Sequence, residues 1–244
     1  MSRLWGLLNS QQIAVTLPML GGLKFPANAI TAIEYIYDIV TFDFISTENV
    51  ESEVYYWPET DPFTTNFEMA GVESIFFLAN IGFALYLIYL NLFAALVHAS
   101  ICSCKKSGRC ISWVHTKLRA YLYWEGLHRF YIELFFELTF FSILNLYTVD
   151  WDSRFESVMA SNFVSVFSIV LNCSVLVIYI AGYFRLPRNH RTEMYGQRFR
   201  PLLDGTKWSQ TRTKKHLILV PVLFFVKRLV IAFILVVAND YLCA

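Results

Sequence analysis

Two carboxylates interrupt the apolar stretch RFYIELFFELTFFSILNLYTV, Arg129 to Val149: Glu133 and Glu137. Spaced four residues apart, with Arg129 four residues earlier again, the three side chains stack along one stripe of a helix. A second charged site, Lys227 and Arg228, falls in the middle of LILVPVLFFVKRLVIAFILVVA, Leu217 to Ala238. Ionisable groups in hydrocarbon are costly and face a partner or water. Glu137 would lie about 10 Å deep at the helical rise, and Lys227 and Arg228 would lie at a similar depth if their helix starts near residue 220. This intramembrane charge network has three readings. Glu133 or Glu137 pairs with Arg228 or Lys227 and locks helices together; the same pairing gates a cation or proton pathway; or the charges snorkel to the interface without a partner. A stripe of Asn145, Glu137 and Glu133 facing a water-filled gap would mark transport. Sealed against Arg228, it would mark a scaffold.

Other residue types with chemical potential lie beside apolar segments. Cys102, Cys104 and Cys110 in CSCKKSGRC adjoin Lys105 and Lys106, a setting that suits reversible acylation on an anionic leaflet, although plain thiols fit equally. His98 and His115 bring a zinc site to mind, but the spacing matches no regular set of zinc ligands, and no metal is expected. Arg185, Arg188, Arg191, Lys214 and Lys215 belong to a basic loop that either binds anionic lipid headgroups or only sets topology. The asparagine of Asn172-Cys173-Ser174 matches a glycosylation acceptor but falls inside an apolar run. No phosphate-binding glycine loop, HExxH, GxSxG or paired-glycine fingerprint is present, so neither an enzyme nor a cofactor is expected.

The elements that must position these residues are membrane helices. Hydrophobic residues make up 56% of the 244, with 22 Phe and 14 Tyr, too apolar for an ordinary soluble surface. Residues 75 to 97 and 158 to 184 are uncharged and long enough, at about 1.5 Å per residue, to cross a core of about 30 Å. Residues 130 to 149 and 217 to 238 are apolar spans that carry the charges described above. For the last there are two solutions: an interfacial segment from His216 to Phe225 with entry near Lys227, or a full span with Arg228 paired inside the bundle. Pro221 suits either, as a kink or a break. Residues 4 to 23 form a weak span or a re-entrant segment, since the run holds Asn9, Ser10, Gln11, Gln12 and Pro18. The sequence thus predicts an all-α, multipass transmembrane bundle of four to five spans, with an acidic outer region at 25 to 74 and a bundle at 75 to 244. An interfacial helix is expected within 27 to 45.

Charge distribution orients the chain. Every charged residue from Phe25 to Cys104 is acidic, whereas 105 to 129 and 185 to 215 are predominantly basic. The positive-inside rule places the basic loops and the N-terminus in the cytosol, and the acidic region, the DWDSRFE turn and the C-terminus outside. Net charge is only +1, so no nucleic-acid partner is indicated. The expected partners are the lipid bilayer, anionic headgroups and other subunits of a homo- or hetero-oligomer.

The ordered segments LWGLLNSQQIAVTLPML, FPANA at Phe25 to Ala29, FDFIST at Phe42 to Thr47, HRFYIELFFELTFFSILNL and FFVKRLVIAFILVV together resemble the C-terminal multipass module of large protist surface proteins. That module is described as similar to transient receptor potential and polycystin-like channels. The resemblance implies a plasma-membrane, channel-like module contributing to cation transport or sensing in a larger assembly. The alternative is a non-transporting anchor or interaction subunit. Relatives continue past the equivalent of Ala244 with further membrane segments, so the chain is expected to be a fragment or short paralogue. Arg228 and Glu133 are the charged positions that match, and they carry over as packing residues.

Overall fold

The structure, a computed structural model, describes Gln11, Ala14 and residues 16–19, 26–41, 57–58, 63–70, 72, 74–103, 126–185 and 220–242. Regular structure among the described residues is entirely helical. After a 3-10 turn at Leu17–Met19 come α1 (Ala27–Thr41), α2 (Thr65–Met69), α3 (Phe77–Asn80), α4 (Gly82–Ser103), α5 (Gly126–Tyr147), α6 (Glu156–Arg185) and α7 (Val220–Leu242). The stretch expected to hold an interfacial helix contains α1. Of residues 4 to 23 only the few named above are described, with Thr16 and Met19 buried.

The central element is α5. Residues Leu134 to Ser142 are buried without interruption, so this helix has no free face over its middle turns. It packs on α6 and α7, and α3 closes over one end. Aromatic side chains fill the apolar side: Phe67 of α2 stacks on Phe140 with centroids 5.7 Å apart, and Phe225 of α7 meets Phe135 edge-on at 4.6 Å. Such ring pairs contribute about 0.5–1.5 kcal/mol beyond area burial.

The run 75 to 97 is not one helix. It divides at Ile81, whose φ of −109° and ψ of 19° end α3 before α4 begins. The Asn80 amide fixes the entrance to α3 by donating to the carbonyls of Ser74 and Phe76, at 2.7 and 2.8 Å. Consequently Phe77, Leu78 and Ile81 are buried, whereas Tyr89, Leu90, Phe93 and Leu96 of α4 are exposed.

Helix α7 covers most of the last apolar segment. It is continuous through Lys227 and Arg228 and begins at Val220, not near Lys227. Pro221 lies in its first turn, where a proline removes an N–H that would have had no helical acceptor. Within α6, Glu156–Ile178 is, among the described residues, the one stretch long and apolar enough to cross a membrane, with mean hydropathy 2.0; Ile88–His98 and Leu134–Tyr147 are shorter apolar stretches.

Candidate functional site

Buried polar side chains of α5 and α6 meet at the interface between these helices. On α6 the inward positions are Ser161, Asn162, Ser165, Ser168 and Asn172, all buried, while Phe163, Phe167, Val170, Leu171 and Val177 are exposed. Steps of four, three and four residues from Ser161 to Ser165, Ser168 and Asn172 keep one face of a helix. Polar residues therefore face in and apolar residues face out. A helix in water does the reverse.

Two hydrogen-bonded clusters occupy this interface. At the first, Asn145 Oδ1 accepts from the backbone N–H of Phe77 at 2.7 Å and from the Ser161 hydroxyl at 2.6 Å. Its Nδ2 donates to Asn162 Oδ1 at 2.7 Å, and Asn162 Nδ2 donates in turn to the Asp150 carbonyl at 2.8 Å. Ser161 Oγ also accepts from Leu78 N–H at 3.3 Å. The first N–H groups of a helix have no acceptor within it. Side chains of α5 and α6 supply those acceptors to Phe77 and Leu78 at the start of α3.

The second cluster lies further along the same interface. Tyr131 Oη donates to Asn172 Oδ1 at 2.8 Å, Asn172 Nδ2 donates to Thr139 Oγ1 at 3.0 Å, and Thr139 donates to the Phe135 carbonyl at 2.6 Å. Between the clusters the Ser165 hydroxyl donates to the Asn162 carbonyl at 2.9 Å. The hydroxyls of Ser142 and Ser168 are buried and make no hydrogen bond among the described residues. Asn172, the formal glycosylation acceptor, has its amide committed on both atoms.

The charged residues belong to a different face of α5. Eight residues separate Glu137 from Asn145, which places them about 80° apart around the helix. Glu137 is 7% exposed and Arg228 is completely buried, the largest fully buried side chain among the described residues. The Arg228 guanidinium donates from Nη1 to the Ile132 carbonyl at 3.0 Å, and its carbon lies 4.3 Å from the centroid of the Phe224 ring one turn earlier. This sets the cation at the backbone level of Ile132 and Glu133. Lys227, its neighbour in sequence, is exposed. The two cations thus have opposite surroundings, which the dipeptide alone does not reveal.

Among the remaining sequence-selected residues, Glu133 belongs to α5, Arg185 ends α6 and Cys102 lies in α4, but their side chains fall outside the described set. Cys104, Cys110, Arg188, Arg191, Lys214 and Lys215 lie outside the described residues altogether. No group of His, Cys, Asp and Glu suited to hold a metal occurs among the described residues. The residues that sequence reasoning missed are Ser161, Asn162, Ser165, Ser168 and Asn172. Their signal was present in the polar spacing along an otherwise apolar helix. Comparison with protein-family models, with curated proteins and with solved structures gives no match.

Proposed function

We propose that this chain is a multipass integral-membrane module of four to five spans that anchors or joins the subunits of a larger assembly without itself conducting ions. The observation that carries this reading is the α5–α6 interface. Its asparagines bond to one another, to serines and to the backbone of α3, and Asn145 and Asn162 are 2% and 1% exposed. Such an arrangement ties helices together. The outward apolar face of α6 supports lipid as its surroundings, since an exposed row of Phe163, Phe167 and Val170 would be an aggregation hazard in water. The same reading puts the basic loops in the cytosol and the module in the plasma membrane, following the charge distribution and the resemblance drawn from sequence.

A second reading, channel-like cation transport or sensing, draws on the burial of Glu137 and Arg228. Buried ionisable groups in a membrane bundle commonly line pathways. Reconstitution distinguishes the two. The purified chain in liposomes is expected to give no cation flux above empty vesicles, while Glu137→Gln and Arg228→Gln each lower stability and the double variant loses less than the sum. Flux from the parent that either substitution abolishes would overturn the anchoring role in favour of transport.

A further inference from the structure

The turn joining α5 to α6 borders a cavity of about 240 Å³. At about 30 Å³ per liquid water, that is room for roughly eight waters or one small organic headgroup. Its floor is the Asn145 and Asn162 pair, and its walls include Phe76, Phe155, Thr148 and Asp150. Of the lining residues only Asp150 carries a formal charge, and none is basic.

The polar groups of this lining include one carboxylate, two hydroxyls and two amides. Asp150 Oδ1 accepts from the Asp152 N–H at 3.0 Å and the Asp150 carbonyl accepts from Asn162, while Oδ2 takes no bond among the described residues. The Thr148 hydroxyl donates its proton to the Leu144 carbonyl at 3.0 Å, and the Ser153 hydroxyl accepts from the Phe155 N–H at 3.3 Å. Asp150 and Thr148 are left with oxygen lone pairs to offer a ligand, beside the Ser153 O–H and the second N–H of the Asn145 and Asn162 amides. Phe76, stacked on Trp57 at 5.3 Å, and Phe155 add aromatic rings to the lining. A phosphate or carboxylate would meet no cation in the lining. A carboxylate, spare acceptors and two phenyl rings are together the complement of an ammonium group.

The rim points to the source of that ammonium. Tyr147, Trp151 and Phe155 are 44%, 47% and 42% exposed around the turn, and Trp151 packs edge-on against Phe163 at 5.8 Å. Aromatic side chains concentrate where headgroups meet hydrocarbon. We infer that this cavity binds a primary or quaternary ammonium, presented by the headgroup of a zwitterionic phospholipid or by a small soluble amine. The lipid source rests on the membrane reading above; the ammonium chemistry does not. Because the lining residue Asn145 also accepts from the Phe77 N–H, an occupant would touch a side chain that holds the start of α3.

The test compares the parent, Asp150→Asn and Asp152→Asn. Asp152→Asn removes a charge from the same turn but not from the cavity lining. Each variant is reconstituted in nanodiscs of phosphatidylcholine, phosphatidylethanolamine or phosphatidylglycerol, and lipids retained on release into detergent are counted by native mass spectrometry. Binding of choline and ethanolamine to the detergent-solubilised chain is measured by calorimetry. Preferential retention of the two ammonium lipids, weakened about fivefold in Asp150→Asn and unchanged in Asp152→Asn, establishes the lipid as occupant. Saturable choline or ethanolamine binding with no lipid preference and the same variant pattern establishes a soluble amine. Equal retention of all three lipids with no saturable amine binding overturns the inference, as does an effect shared equally by both Asn variants. Resistance of the membrane-bound chain to carbonate extraction is scored separately, so that failure of the membrane reading is not mistaken for failure of the site.

Discussion

Replacing Asn145 with alanine tests the interior of this bundle most directly. The substitution removes an acceptor from Phe77 N–H and from the Ser161 hydroxyl, and a donor from Asn162 Oδ1, bonds of 2.7, 2.6 and 2.7 Å. Inter-helix hydrogen bonds in lipid contribute about 0.6 kcal/mol each on average, against about 0.5–1.5 kcal/mol in water-soluble cores. The groups left behind are not neutral. Phe77 is 1% exposed and its N–H begins α3, so no helical carbonyl can take over, and an unpaired buried donor costs about 1–3 kcal/mol. Together these give an expected loss of about 2–4 kcal/mol for Asn145→Ala. The assay is reversible unfolding in mixed micelles of mild detergent and dodecyl sulfate, followed by far-ultraviolet circular dichroism. Ser142→Ala is the internal control, since that hydroxyl is equally buried but unbonded among the described residues. Hydrogen exchange adds a local readout, with Phe77 and Leu78 amides exchanging faster in Asn145→Ala. Equal stabilities for Asn145→Ala and Ser142→Ala, with no change in exchange at α3, would refute the claim that Asn145 holds the broken segment.

Three further outcomes follow from the same contacts. Ser142→Ala and Ser168→Ala are expected to fall within about 0.5 kcal/mol of the parent or to stabilise it, because each deletes a buried hydroxyl without a bonded partner among the described residues; a loss above 1.5 kcal/mol in the same titration would contradict this. Phe167 lies at the centre of Glu156–Ile178 and is 66% exposed, so Phe167→Asp should disfavour membrane insertion by about 2.5–3.5 kcal/mol in a glycosylation-based insertion assay. An unchanged inserted fraction would argue that α6 is not surrounded by lipid. Arg228→Leu should destabilise by about 2–4 kcal/mol through loss of the Ile132 bond and the Phe224 contact, whereas Lys227→Leu, at an exposed position, should not destabilise measurably in the same unfolding assay; similar losses for the two would contradict their opposite burial.

Element positions were legible in the amino-acid sequence where apolar runs are long, because a backbone kept from water must bond within its own helix. The runs at 130–149 and 158–184 correspond to α5 and α6, and the charged run near 217–238 corresponds to α7. The division of 75–97 was not legible. Asn80 and Gly82 flank the break at Ile81, but the acceptors that hold the start of α3 come from Asn145 and Ser161, 68 and 83 residues away from the amides they bind. The opposite environments of Lys227 and Arg228 were hidden for a related reason. Adjacent residues on a helix point about 100° apart, and only the position of α5 decides which of them is enclosed.

The polar row on α6 bears most directly on function. Its periodicity could have been read from Ser161, Ser165, Ser168 and Asn172, yet a search for uncharged length passes over it, since serine and asparagine do not end an apolar run. With α5 in place, the row becomes the interface. Small hydroxyl side chains let two helices approach closely, and asparagines supply bonds that lipid cannot replace. Leucine at Asn145 would satisfy the same hydropathy while leaving the N–H of Phe77 without its acceptor, so overall apolar character cannot account for the fold of α3. The specific requirement is for amide and hydroxyl groups at the level where α3 begins. A chain that met only the hydrophobic requirement would leave the N–H groups of Phe77 and Leu78 without these acceptors, and the cavity bordered by Phe76, Asn145, Asp150 and Asn162 adjoins the segment that they hold.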